Sequence, residues 1–141
     1  MSVHLLAGLK KQVRERARDI CEYCRLPQAA QEATFHIDHI QPRAAKGRTI
    51  LDNLALACVT CSLKKSAKTH ALDSKTAKTV PLFHPRRDDW FGHFRWGKNC
   101  LLLGKTATGR ATVRALGINR PAIVVIRQSL VALGKHEFAK R

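Results

Sequence analysis

The sequence predicts an α+β protein, and three observations carry that reading. Two Cys-x-x-Cys pairs, Cys21/Cys24 and Cys58/Cys61, bracket the middle of the chain. Between them, Ala33 to Ile40 alternates well enough for a short strand. Outside the bracket, helix-forming stretches open near Lys10, Gly109 and Pro121.

Each element has its own reason. Lys10 to Asp19 is polar and rich in good helix formers, with Arg14 and Arg18 one turn apart, and it delivers the chain to Cys21. Cys21 to Pro27 is a knuckle that Pro27 keeps from resuming as helix. In the strand, Phe35, Ile37 and His39 fall on one face, and His36, Asp38 and Ile40 on the other. Pro42 removes a ladder donor and ends it. Arg43 to Arg48 is a basic loop containing Gly47, and Leu51 to Ala57 reads as a second strand or an irregular return.

Cys61 to His70 has helical character, with Lys64, Lys65 and Lys68 on exposed faces, and Asp73 to Thr79 is polar and loop-like. Trp90, Phe91, Phe94 and Trp96 could stack on nucleic-acid bases, but the i, i+4 spacing of Trp90 and Phe94 favours a core. Cys100 to Leu103 suits a short buried strand, with Cys100 as a small hydrophobe. Thr108 is placed to cap a helix beginning near Gly109, and Pro121 opens a last helix reaching about Leu133. Residues 1–72 read as a core and 73–141 as a helical C-terminal extension packed on it, in one compact domain.

The 141 residues are 45% hydrophobic and 26% charged, ordinary values for a globular protein. The sign of the charge is not ordinary: 26 Lys+Arg against 10 Asp+Glu leaves +16, which points to a polyanion such as DNA or RNA. No apolar run approaches the roughly 20 residues of a membrane span, and the stretch from Met1 to Lys10 lacks the basic start of a signal peptide. Nothing in the sequence implies a membrane or a protein partner.

Cysteine usage fits a reducing, cytoplasmic setting. Four thiolates in two x-x-spaced pairs suit a tetrahedral zinc ion, with disulfides and simple packing as the alternatives. With sulfur in every position, such a zinc has no open site for water and is structural.

Asp38-His39-Ile40, Pro42, Gly47, Asn53-Leu54 and Cys58-x-x-Cys61 with Lys65 together resemble the HNH nuclease motif, in its cysteine-bracketed version. Leu82 to Arg86 and Thr108 to Thr112 are also similar to stretches of small stand-alone members. The resemblance implies a ββα-metal (His-Me finger) core and metal-dependent hydrolysis of DNA phosphodiester bonds. By the same resemblance Asp38 binds a catalytic divalent ion, magnesium or manganese, and His39 is the general base. Asn53 orients the loop and holds that base in position.

The chemistry agrees, because hydrolysis needs a near-neutral base and a cation to stabilise charge on phosphorus. Arg43, Lys46, Arg48, Lys64 and Lys65 are the candidate phosphate contacts. In a regular strand Asp38 and His39 point to opposite faces, so one site requires a local twist. The family usually places Asn or His directly after the second pair, as the other metal ligand, and this chain has Ser62. A hydroxyl is a weaker ligand, which leaves three readings: Ser62 binds through water, His36 contributes from the Asp38 side, or the site is nearly inactive. The alternative function is a zinc-stabilised DNA- or RNA-binding module whose nuclease site is weakened.

Overall fold

The computed structural model describes residues 3–136 and residue 138, and side chains from Leu6 onward. The chain forms two compact units. The first runs through Thr69 and includes the short return His84–Arg87; the second comprises His70–Phe83 and the chain from Asp88 onward. The boundary expected at 72/73 therefore lies inside a strand of the second unit. Arg86 rejoins the first unit because its guanidinium pairs with Glu22.

The first unit opens with helix α1 (Val3–Ala17), longer at its start than the sequence suggested. Arg18 and Asp19 both take φ of 55°, a left-handed conformation that stops the helix, so Arg18 lies beyond the end of α1. Val13 is buried, and two arginines tie α1 to the next layer. Arg14 donates to the Phe35 carbonyl (2.9 Å), and Arg16 donates to those of Leu51 (3.0 Å) and Leu54 (2.6 Å).

Strand β1 (His36–His39) pairs antiparallel with β2 (Leu54–Ala57), His36 opposite Ala57 and His39 opposite Leu54. The second strand is therefore real but shorter than Leu51 to Ala57, because Leu51–Asn53 form a 3-10 turn. Every residue of β2 is buried, which explains why its sequence runs apolar instead of alternating. Helix α2 (Val59–Lys65) follows at once, with Cys58 Sγ accepting the Cys61 amide at its start. It stops five residues before the expected His70: Ser66, at φ 49° and ψ −130°, turns the chain away.

The second unit begins where that helix was expected to end. Strands β3 (His70–Asp73) and β4 (Lys78–Pro81) form an antiparallel hairpin, and only the tip of the expected loop is irregular. Asp73 organises the tip, accepting from Thr76 Oγ1 (2.8 Å) while Ala77 N donates to its carbonyl (2.8 Å). The hairpin is mostly exposed, so its residues show no apolar alternation.

A single turn, α3 (Trp90–His93), leads into the antiparallel pair β5 (Phe94–Trp96) and β6 (Leu102–Gly104). Only Leu102 of the Leu101–Leu103 run is buried. Cys100 is half-buried in a 3-10 turn with φ of 61°, which corrects its expected place in a buried strand.

Helix α4 (Ala107–Ala115) is capped by Thr106, two residues before the expected Thr108, because Thr106 Oγ1 accepts the Gly109 amide (3.0 Å). Gly109 is therefore inside the helix, where a Cβ would sit 2.1 Å from the His93 carbonyl oxygen; only glycine allows that approach. Helix α5 (Pro121–Ala132) starts as expected, with proline in its first turn.

Trp90 and Phe94 are buried with ring centroids 5.0 Å apart, and Trp96 lies 5.6 Å from Trp90. These rings pack a core, as their spacing indicated. Arg127 of α5 is fully buried beside them, 5.3 Å from the Trp96 centroid, and donates to the carbonyls of Cys100 and Ile118.

Arg110 of α4 makes a two-pronged bond to Asp73, 3.0 Å at each oxygen. That guanidinium, with Thr76 and the Lys75 amide, holds the Asp73 carboxyl well below the usual carboxylate range, against the opposing effect of burial. A depressed folded-state pKa contributes stability above the unfolded value, about 3.9, and loses it as pH falls toward the folded value. Asp73→Asn is therefore expected to melt at a lower temperature than wild type at pH 7. The gap should narrow steadily below about pH 4, as followed by circular dichroism. A gap that stays constant into strong acid would contradict the role of this pair.

Candidate functional site

The two knuckles come together inside the first unit. All four Sγ atoms of Cys21, Cys24, Cys58 and Cys61 lie within 4.8 Å of one another and are buried, and none forms a disulfide. Cys24 and Cys58 are 3.8 Å apart. Zn–S bonds of about 2.3 Å in a tetrahedron give edges of about 3.8 Å, so the cluster can hold a zinc ion. Burial pushes the Cys21 thiol up, and close contact with the other three sulfurs raises Cys61, whereas hydrogen bonds from its neighbours hold Cys58 down. Four sulfurs this close cannot all ionise without a cation among them. The first knuckle also extends the hairpin: Glu22 N donates to the Leu56 carbonyl and Glu22 Oε2 accepts the Leu56 amide, both at 2.8 Å.

Helix α2 lies along one face of β1, and paired contacts mark the register. His36 Nδ1 is 2.9 Å from Ser62 Oγ. One turn further, Lys65 Nζ is 3.2 Å from Asp38 Oδ2 and donates to the His39 carbonyl (3.1 Å). Tyr23 O–H donates to Asp38 Oδ2 at 2.8 Å. Asp38 is 8% exposed and Lys65 1%. Burial raises the Asp38 carboxyl, opposed by Lys65 and Tyr23.

Lys65 is therefore not on the exposed face where the sequence put it. It stands four residues after Cys61, on the inward side of α2, and its charge is spent on Asp38. Lys64, its neighbour, is exposed, as are Arg43, Lys46 and Arg48.

The His39 ring has a different partner, with Nε2 2.9 Å from Thr49 Oγ1. Burial, then the charge of Arg43, lowers its pKa despite the nearby Asp38, which keeps the imidazole neutral near pH 7. Asp38 and His39 nonetheless line one cleft of about 600 Å³, together with His36, Ser62, Arg43, and Lys10 and Arg14 from α1. Asp38 and His39 are the last two residues of β1, where the ladder stops.

Asn53 directs its side-chain hydrogen bonds to backbone groups and not to that ring. Its Oδ1 accepts the Gln41 amide (2.8 Å), and its Nδ2 donates to the carbonyls of Gln41 (3.0 Å) and Arg48 (2.8 Å). It closes the loop that carries Thr49, so any hold on His39 is indirect. Gly47 lets the loop close: a Cβ there would lie 1.7 Å from the Gln41 carbonyl oxygen.

Sequence reasoning missed Thr49, Tyr23, Lys10 and the cleft position of Arg14. Thr49 looked like one more residue of a polar loop. Tyr23 carried a signal, an aromatic hydroxyl between two cysteines, whose partner lay fifteen residues away.

The family model described as HNH endonuclease matches residues 21–68. This HNH segment contains the four cysteines, Asp38, His39, Asn53 and Ser62. No curated protein and no solved structure matches the chain. The match supports a nuclease-like or DNA-binding function and metal binding for the HNH segment. Among the described residues no helix is long and apolar enough to cross a membrane.

Two outcomes follow for the HNH segment. Elemental analysis of purified protein is expected to give about one zinc per chain, with Cys24→Ser losing it and melting earlier; zinc near zero in wild type would remove the site. Lys65→Met, which strands a buried carboxylate, is expected to cost about 3 kcal/mol in urea unfolding. Lys64→Met should change stability by less than about 0.5 kcal/mol.

Proposed function

We propose that the first unit, which ends at Thr69 and takes in the return His84–Arg87, is a ββα-metal nuclease core that hydrolyses DNA phosphodiester bonds. The observation that carries the reading is the cleft itself. It brings the His39 imidazole, the Asp38 carboxyl and the Arg43 guanidinium together inside the segment that matches the HNH endonuclease family.

The catalytic steps rest on this chain's own groups. In the tautomer that donates Nε2–H to Thr49 Oγ1, His39 keeps its lone pair on Nδ1, and that nitrogen takes the proton of the attacking water. Asn53 and Gly47 fix the loop that holds Thr49, so they position His39 through it. Asp38 is held by Tyr23 and Lys65 through Oδ2, while Oδ1 has a single, longer bond of 3.4 Å to Lys65 and retains acceptor capacity. Asp38 and the side of Ser62 would hold a divalent ion, magnesium or manganese, which would supply stabilisation of the charge that builds on phosphorus. Exposed Arg43, Lys46, Arg48 and Lys64, with Lys10, hold the phosphate backbone and carry little sequence information.

The cysteine cluster serves as a structural zinc site, since four sulfurs leave no position for water. Zinc thiolates with no disulfide fit a reducing, cytoplasmic compartment.

A second reading has specific support. Asp38 is already engaged by Lys65 and Tyr23, and Ser62 by His36, which is what a nucleic-acid-binding module with a weakened nuclease site would show. Supercoiled plasmid incubated with magnesium or manganese separates the two. Nicking is expected, with His39→Ala at least about a hundredfold slower and DNA binding retained. Tight binding of DNA or RNA by wild type without any cleavage would give the site to the binding module.

A further inference from the structure

Position 62 carries a hydroxyl where the family resemblance implies an amide or an imidazole, and the structure sets an imidazole against it. His36 Nδ1 lies 2.9 Å from Ser62 Oγ. His36 stands two residues before Asp38 on β1, so both side chains leave the strand on the same face. Contacts along α2 repeat that order: Ser62 meets His36, and Lys65, one turn later, meets Asp38. His36, Asp38 and Ser62 line the same cleft.

We propose that His36 is the second protein ligand of the divalent ion and that Ser62 orients its ring, an inference that rests on the nuclease reading above. A ligating imidazole binds through its unprotonated nitrogen, and its other N–H is normally held by an oxygen acceptor that fixes tautomer and orientation. In the Nδ1–H tautomer Ser62 Oγ, 2.9 Å away, is such an acceptor, which leaves the Nε2 lone pair as the ligand. The missing residue at 62 is thus replaced by a pair, with the ligand on the strand and its support on the helix. Ser62 does not have to bind metal to be needed.

The donor set changes which ion the site prefers. Magnesium favours oxygen donors and bound water, whereas an imidazole with a carboxylate oxygen suits first-row transition ions. The cleft is therefore selective for manganese, or a later ion of that row, over magnesium.

Full-length, zinc-loaded protein titrated with Mn²⁺ and read by electron paramagnetic resonance tests this without recourse to cleavage. Wild type is expected to bind Mn²⁺ at least about tenfold more tightly than Mg²⁺, with nitrogen coupling to the bound manganese. That coupling should survive in His39→Ala and vanish in His36→Ala, where affinity falls about tenfold or more. Ser62→Ala should also weaken Mn²⁺ binding while leaving the coupling in place. His36→Gln with unchanged zinc content excludes a folding defect as the cause. Unchanged affinity and persistent coupling in His36→Ala would overturn the proposal. If Asp38→Ala then abolishes Mn²⁺ binding, the nuclease reading stands and only the role of His36 falls. Wild type that binds no Mn²⁺ and nicks no DNA overturns both.

Discussion

The first unit depends on one closure, the meeting of four cysteine sulfurs from two knuckles separated by thirty-three residues. The hairpin between those knuckles has two strands of four residues each, and a pair that short is not stable by itself in water. Closing the segment at its ends removes much of the chain entropy that would otherwise oppose pairing. The same closure sets the start of α2, because Cys58 is both a member of the cluster and the cap of that helix. It also brings Glu22 against Leu56, which satisfies backbone groups on the second edge of β2.

From that start the register of α2 decides what the cleft contains. Beginning the helix at Val59 turns Cys61 and Lys65 inward and sets Ser62 beside His36. Lys65 then reaches Asp38, a carboxylate that would be costly to bury alone. Tyr23 adds a hydrogen bond from the knuckle, so one carboxylate is braced from the helix and from the cysteine cluster's own loop. A side chain held from two directions loses little further freedom on binding an ion, which is what preorganisation of a ligand means. The same bracing lowers its readiness to accept one, since two positive or donating groups already share its charge. The balance between those effects is set at Oδ1, the less engaged oxygen.

Legibility followed the range of the interactions. The cysteine pairs, the β1 segment and the proline start of α5 are local signals, and each was readable. The short end of α2 was not, because Ser66 adopts a turn that no residue type there advertises. The β3–β4 hairpin hid because its exposed strands carry no apolar period. Among the residues of the proposed site, Asp38, His39 and Asn53 stood out by pattern, whereas Thr49 and Tyr23 make their contacts across ten and fifteen positions. Lys65 was read by its charge alone, and its burial is decided by a partner on another element.

The formal charge of +16 also has to be read against where the cations are used. Arg14 and Arg16 donate to hairpin carbonyls, Lys65 and Arg86 pair with carboxylates, Arg110 holds Asp73, and Arg127 is buried against backbone oxygens. These six cations contribute to the long-range field that draws a polyanion in, because field depends on charge and not on contact. Their donors, however, already serve the fold. The salt dependence of any nucleic-acid binding counts phosphates actually neutralised, so it would report the exposed basic residues of the 43–48 loop, Lys64 and Lys10 of α1 far more than the composition. Composition thus predicts a polyanionic partner, and only the structure says which of the cations are still available to one.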